Sequence, residues 1–389
     1  MEGEAPPEPR KNVWLGRSLA LHPVKLQAGG QLCVSKEVWL LKLKWIAMVA
    51  AVFYVQKGVC AAGRAKLPAK HAPVIAGEWK LLFKPDPSIG VYINDHTLYR
   101  HESTGQWHLI GITSTNNPAD ANTERFFAHG VGDELIVEGG YTDTKQKLFE
   151  SPELAWAPYA FNHKGKARIF YGPQRIVTSS SSDGMEWVAP QLLKRIPPVW
   201  KTDGTVNPAH RDGMIIKVEE NGKEKWLMYA TALMTTHKDQ KNYSAVELFE
   251  SDDLEKWTRR GFALTTSGDA PYNLPYSSCE SPFVMKQGDY YYLSITYVDY
   301  GQTVDWGKTY SNTIIFRSKE PNNPYSFGDY NGDESMIVAR LKAHAPEYVV
   351  DPETGKWYIT TCGWVDNDIP FPGGVGIAEL GWKEVQKGK

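Results

Sequence analysis

Charge of one sign is missing from this sequence. Its 389 residues carry 43 Lys and Arg against 45 Asp and Glu, a formal net charge of −2. Such a balance offers no basic surface for a nucleic acid or an anionic membrane, and no nucleic-acid partner is expected. Cysteine is scarce, at four residues, and the two beyond the N-terminal segment, Cys279 and Cys362, lie 83 apart and make neither a disulfide framework nor a zinc site. Long apolar runs are missing too. The run from Trp45 to Val55 has 11 residues, well short of the roughly 20 that cross a bilayer, so no stable membrane span is expected. The sequence contains no phosphate loop, no Gly-x-Ser-x-Gly and no His-Glu-x-x-His. Without metal-ligand spacing either, no metal and no cofactor are expected.

Apolar residues make up 42% of the chain and charged residues 23%, enough to build a sizeable core rather than a disordered chain. Residues 1–40 read as an irregular N-terminal extension. Then Lys42 and Lys44, the Trp45–Val55 run and the small residues around Val59-Cys60-Ala61 follow the order of a secretory signal peptide over 41–62. Cleavage near residue 61 and an exported protein, periplasmic or secreted, are expected. A buried edge element or a lipid anchor on Cys60 are the competing readings of this segment. After cleavage Cys279 and Cys362 remain, either as one bridge in an oxidising compartment or as two buried thiols. A monomer is expected.

From about residue 78 the texture changes. Short runs rich in Tyr, Trp, Val, Ile and Thr alternate with Gly, Asn, Asp and Pro, the pattern of strands and turns. One phrase, a Gly turn followed by an aromatic strand, recurs at Thr104–Ile110, Lys164–Tyr171, Asn221–Tyr229, Gln287–Leu293 and Thr354–Ile359. Its glycines, at 105, 165, 222, 288 and 355, lie 57 to 67 residues apart. A second phrase recurs between them, at Ser182–Trp187 and Ser251–Trp257, with a weaker copy at Ala128–Leu135. Two hairpins per repeat make about four strands, the content of a propeller blade. The expected fold is all-β, a five-bladed β-propeller over 75–389; a pair of β-sandwiches is the competing reading.

The inner strands of a propeller line a central channel. Counting back 8 to 11 residues from each turn glycine reaches Asp95, Trp156, Asp212, Glu280 and His344. Three carboxylates recurring there need a reason, because a buried carboxylate is costly unless paired. Turn capping by Asp and Glu would explain one of them more readily than three. Glycoside hydrolysis would use all three: a protonated acid on the leaving oxygen, a carboxylate on the far side as nucleophile or base, and a third that tunes the acid.

The ordered set Asn94-Asp95-His96, Arg211-Asp212-Gly213 and Glu280-Ser281-Pro282 resembles glycoside hydrolase family 32, with its Asn-Asp-Pro, Arg-Asp-Pro and Glu-Cys-Pro. Ser251–Trp257 and Trp156-Ala157-Pro158 are similar to phrases of family 43 and its relatives. The chain departs from these patterns at His96, Gly213, Ser281 and Tyr159, and the C-terminal sandwich usual in family 32 is not expected. The resemblance implies a carbohydrate substrate, with Asp95 as nucleophile or general base, Glu280 as general acid and Asp212 as stabiliser. It implies Asn94, Trp156, Arg211 and His344 as substrate-binding residues. For Trp156 a core position, and for His344 a structural hydrogen bond, compete with that role. β-Fructofuranosides, α-L-arabinofuranosides and β-xylosides are the substrate types implied. The rival readings are a non-catalytic glycan-binding propeller, a glycosyl-transferring or phosphorolytic relative, and a protein-interaction scaffold.

Overall fold

The computed structural model describes residues 71–116, 121–173, 176–193, 199–200, 206–207, 210–235, 242–265, 277–299, 310–321 and 337–384. The N-terminal extension, the signal-peptide segment, Cys33 and Cys60 lie outside them. The fold is a five-bladed β-propeller, each blade an antiparallel sheet. The first blade runs outward from the axis through His96–Arg100, Trp107–Thr113, Phe126–Gly132 and Thr142–Asp143. The second uses Trp156–His163, Lys166–Gly172, Val177–Ser181 and Gln191–Leu192. The third uses His210–Glu220, Lys223–Thr235, Asn242–Ser251 and Thr258–Thr265. The fourth uses Ser277–Gln287, Tyr290–Asp299, Asn312–Ser318 and Ala339–Lys342. A two-stranded hairpin, Val199–Trp200 with Val206–Asn207, interrupts the path between the second and third blades.

The fifth blade closes the ring. Its inner strands Tyr348–Val350, Trp357–Cys362 and Val375–Glu384 come from the C-terminal part of the chain, and its outer strand is His71–Ile75. Lys80–Phe83 also pairs with Val375–Glu384. One sheet therefore holds both ends of the ring.

The repeated glycines sit at the hairpins that join each inner strand to its neighbour, and all five have positive φ, from 58° to 76°. In two of these hairpins the preceding residue also has positive φ, Lys164 at 53° and Asn221 at 53°. Positive φ at both central positions is the type I′ turn, which matches strand twist and favours Asn-Gly. The second phrase forms the turns between third and fourth strands. Ser251 Oγ accepts from Leu254 N–H at 2.9 Å, and Asp253 Oδ1 from Lys256 N–H at 2.8 Å. Ser181 and Asp183 make the same bonds to Gly184 and Glu186, at 2.8 and 2.9 Å.

Between blades the sheets pack through large rings, with Phe83, Phe127, Phe170, Phe249, Phe316, Tyr229 and Tyr292 all essentially without solvent exposure. Each contributes on the order of 1.5–3 kcal/mol of apolar burial. Cys279 and Cys362 are both buried free thiols, so of the two expectations for this pair the unbridged one holds. No helix among the described residues is long and apolar enough to cross a membrane.

Candidate active site

Each inner strand breaks its ladder at the same place. In the second, third and fourth blades the register shifts between Trp156 and Tyr159, Arg211 and Met214, and Glu280 and Phe283. In each case two residues oppose one, which is a β-bulge. The other two blades carry it as well. Asn94 N–H donates to Ile112 O, while Thr97 pairs with Ile110. Cys362 N–H donates to His344 O, and Thr360 N–H to Glu347 O. The first bulge residue has positive φ in four blades: Ala157 at 45°, Asp212 at 57°, Ser281 at 48° and Ala345 at 40°. Asp tolerates that region better than most side chains, and Ala and Ser are strained there. Pro158, Pro282 and Pro346 stand second in the bulge, where no ladder N–H is required.

This geometry corrects the register read from the sequence. The five residues found by counting back from the hairpins occupy two adjacent positions, not one. Asp95 and Asp212 are bulge residues, equivalent to Ala157, Ser281 and Ala345. Glu280, Trp156 and His344 stand one residue earlier, equivalent to Asn94 and Arg211. The offset arises because the distance from bulge to turn glycine differs between blades, 10 residues from Asp95 to Gly105 and from Asp212 to Gly222 but 7 from Ser281 to Gly288.

The three carboxylates nevertheless meet. Ser281 joins two of them, its Oγ donating to Asp95 Oδ1 at 2.8 Å and its N–H to Asp212 Oδ2 at 3.0 Å. Arg211 joins the third, with Nη2 2.6 Å from Glu280 Oε1 and Nε 3.4 Å from Asp212 Oδ1. Thr231 Oγ1 adds a 2.7 Å hydrogen bond to Asp212 Oδ2. Tyr310 OH donates to Glu280 Oε2. Asp212 and Glu280 are buried, and Asp95 is half-buried. Loss of solvation holds the Asp95 carboxyl well above its usual range, and the charges of Asp212 and Glu280 push the same way. Glu280 is also raised, by burial first and by Asp212 second, with Arg211 opposing.

The other expected residues lie around this cluster. His344 is fully buried, and its ring packs 4.2 Å from that of Tyr310. A carbonyl only accepts, so the 2.9 Å contact to Cys362 O puts the proton on Nδ1. Burial lowers this imidazole to about 4, which keeps it neutral. Asn94 and Trp156 border Glu124. Inspection of the sequence missed Glu124, Tyr310 and Trp364, which sit in connections, and Glu347, which faces the axis. Glu347 Oε2 accepts from Leu98 N–H at 2.6 Å, and burial holds its carboxyl well above the usual range. Below the bulges a cavity of about 30 Å³ is lined by Asp95, Asp212, Ser281 and Glu347, among others. That is room for a water or two. Among the described residues no group of three His, Cys, Asp or Glu is arranged to hold a metal ion.

No protein-family model and no curated protein sequence matches this chain. Solved structures do. A family 32 β-fructofuranosidase from Bombyx mori aligns over 77% of this chain and 62% of its own, with 16% identity and a TM-score of 0.50. The fold is that of the five-bladed propeller glycosidases. A levansucrase variant from B. subtilis aligns over 78% of this chain and 86% of its own, with 11% identity and a TM-score of 0.52. A further glycoside hydrolase aligns over 81% and 96%, with 12% identity and a TM-score of 0.51. The chain thus spans about three fifths of the length of the β-fructofuranosidase and nearly all of the last structure.

Proposed function

We propose that the protein is a glycosidase that hydrolyses O-glycosidic bonds of oligo- or polysaccharides at its axial carboxylates. The observation that carries this reading is the linked cluster of Asp95, Asp212 and Glu280, tied through Ser281 and Arg211 at the bulges of three inner strands. Three carboxyls so close cannot all ionise freely, and splitting their affinities for a proton is how such a site obtains an acid and a base together. Glu280 takes the role of general acid, raised by burial. Asp95 acts on the opposite side, as nucleophile if configuration is retained or as base for water if it is inverted. Asp212, held by Thr231 and the Ser281 N–H, stabilises developing positive charge, and Arg211 orients both it and Glu280. The half-buried Trp156 and Trp364 offer apolar faces for sugar rings.

The resemblance of the three tripeptides to family 32 favours a β-fructofuranoside substrate, with α-L-arabinofuranosides and β-xylosides as the alternatives. Export fits an extracellular saccharide, and the basic patch and apolar run before residue 61 support it.

The test is hydrolysis of sucrose, levan, inulin, arabinan and xylan fragments by the protein and by its Glu280→Gln variant, with product anomers followed by NMR. Loss of the acid is expected to lower kcat by roughly 10²–10⁴-fold, and the first-formed anomer assigns Asp95 as nucleophile or base. Absence of hydrolysis on every substrate, with saccharide binding intact, would replace this reading with a glycan-binding propeller.

A further inference from the structure

One carboxyl near the axis takes no part in the chemistry above. Glu124 is 1% exposed and follows the short turn Ala121–Thr123 that leads into the third strand of the first blade. Its backbone is fixed on both sides, by a 3.3 Å bond from its N–H to Ala121 O and a 2.9 Å bond from Ala155 N–H to its carbonyl. Its side chain collects donors from two blades. Oε1 accepts from Tyr92 OH at 2.9 Å and from Trp364 Nε1–H at 3.4 Å, and Asn94 lies beside it. Tyr92 and Asn94 precede the inner strand of the first blade, whereas Trp364 follows the second strand of the fifth. Trp364 in turn stacks on Tyr310, with ring centroids 5.8 Å apart and planes 22° from parallel. Tyr310 is the residue whose hydroxyl holds Glu280.

A carboxyl is a costly group to bury, and a hydrophobic side chain would fill this space at no such cost. What a carboxyl supplies here is one oxygen that accepts from a phenol and an indole on neighbouring blades. We propose that Glu124 is a positioning residue of the site, whose side chain ties the Trp364 indole to the first blade and so fixes the aromatic wall beside Tyr310 and Glu280. Glu124 itself touches no substrate. Its kinetic consequence rests on the glycosidase reading; its structural consequence does not.

The experiment compares Glu124→Ala, Glu124→Gln and Trp364→Phe in the full chain, with two readouts. In hydrolysis of whichever panel substrate the parent protein cleaves, Glu124→Ala is expected to raise KM about tenfold or more, because the indole and phenol donors lose their shared acceptor. The change in kcat should be smaller. Glu124→Gln keeps a carbonyl oxygen for both donors and is expected to restore KM to within about threefold of the parent. Trp364→Phe should reproduce the KM increase while leaving Glu124 in place, which covers the case of an alanine variant that fails to fold. In the absence of substrate, the Trp364 indole ¹⁵N–¹H resonance, assigned by its loss in Trp364→Phe, should be protected from solvent exchange in the parent and in Glu124→Gln, and lose that protection in Glu124→Ala. An unchanged KM together with an unchanged indole resonance in Glu124→Ala overturns the proposal, as does a glutamine variant as impaired as the alanine one. If the parent hydrolyses nothing, the glycosidase reading fails and the indole resonance alone decides the role of Glu124.

Discussion

Asp95, Asp212 and Glu280 differ most in what donates to them. Asp212 receives the Thr231 hydroxyl and the Ser281 N–H and lies beside Arg211. Glu280 receives Arg211 and the Tyr310 hydroxyl. Among the described residues, Asp95 receives the Ser281 hydroxyl at 2.8 Å, a group that accepts as readily as it donates. That bond, with the Arg211 charge adding to it, draws the Asp95 carboxyl down against burial and two like charges that push it up. Replacing Ser281 with alanine removes the hydroxyl and leaves the backbone N–H on Asp212 in place. If Asp95 works as a carboxylate, losing a hydrogen bond to a charged group lowers kcat/KM by roughly 10–100-fold. The sign of the pH effect follows: the Asp95 carboxyl rises further, so the acidic limb of the rate profile moves to higher pH. A pH–rate profile of Ser281→Ala beside the parent checks this, and a limb that stays in place would remove Asp95 from the role of nucleophile or base.

At the scale of the strand and turn, copies of one phrase carry different demands. The turns at Ser181 and Ser251 make matching side-chain to backbone bonds, yet their equivalent residues are Gly184 and Leu254, at φ 82° and 65°. Leu254 is buried in the core against Trp257. Gly184 has no such freedom, since a Cβ there would lie 2.5 Å from His108 Cε1. The His108 ring cannot give way, because it is stacked between Tyr99 and His129, each with its centroid 5.2 Å away. Gly184→Ala is expected to destabilise the protein by about 2–4 kcal/mol, from left-handed strain and overpacking together, without altering the carboxylate cluster; denaturant unfolding measures it. The same contrast explains what the sequence made legible. The hairpin glycines were visible because their backbone geometry demands glycine and their spacing counts the blades. The three carboxylates were visible because they recur near the inner strands. Their register was not, since the distance from bulge to hairpin glycine differs between blades, from 7 residues in the fourth to 10 in the first. A better ruler stands in the bulge itself, in Trp156-Ala157-Pro158, Glu280-Ser281-Pro282 and His344-Ala345-Pro346, where a proline marks the position that needs no ladder donor. Glu124 and Tyr310 had no such signal, because a connection's reach toward the axis leaves no periodicity in the sequence.

Over the whole molecule, two sets of buried groups resist ionisation in opposite directions of pH. Burial holds five imidazoles low in the fold: His96 and His129 at about 3, His108 and His344 at about 4, from 6.5 for a free side chain, and His163 below that value. An unfolded chain therefore binds protons below about pH 6.5 that the folded chain refuses, so stability falls as pH drops from there toward 4. Burial raises four carboxyls, Asp95, Glu280, Glu347 and Glu124, the last from 4.5 to about 7. Here the unfolded chain releases protons above about pH 4.5 that the folded chain keeps, so this contribution is present at low pH and is lost as pH rises through the folded values. Between those two limits the slopes oppose each other, and above about pH 6.5 only the carboxyl contribution remains, so the melting temperature is expected to fall rather than rise from there toward pH 8. Glu124→Gln should flatten the alkaline side between pH 4.5 and 7, a change on the order of 3 kcal/mol, while leaving the acidic side as it was. Thermal unfolding from pH 4 to 8 decides the matter: a melting temperature that climbs steadily to pH 8 would mean that the axial carboxyls ionise in the fold far more easily than their burial implies.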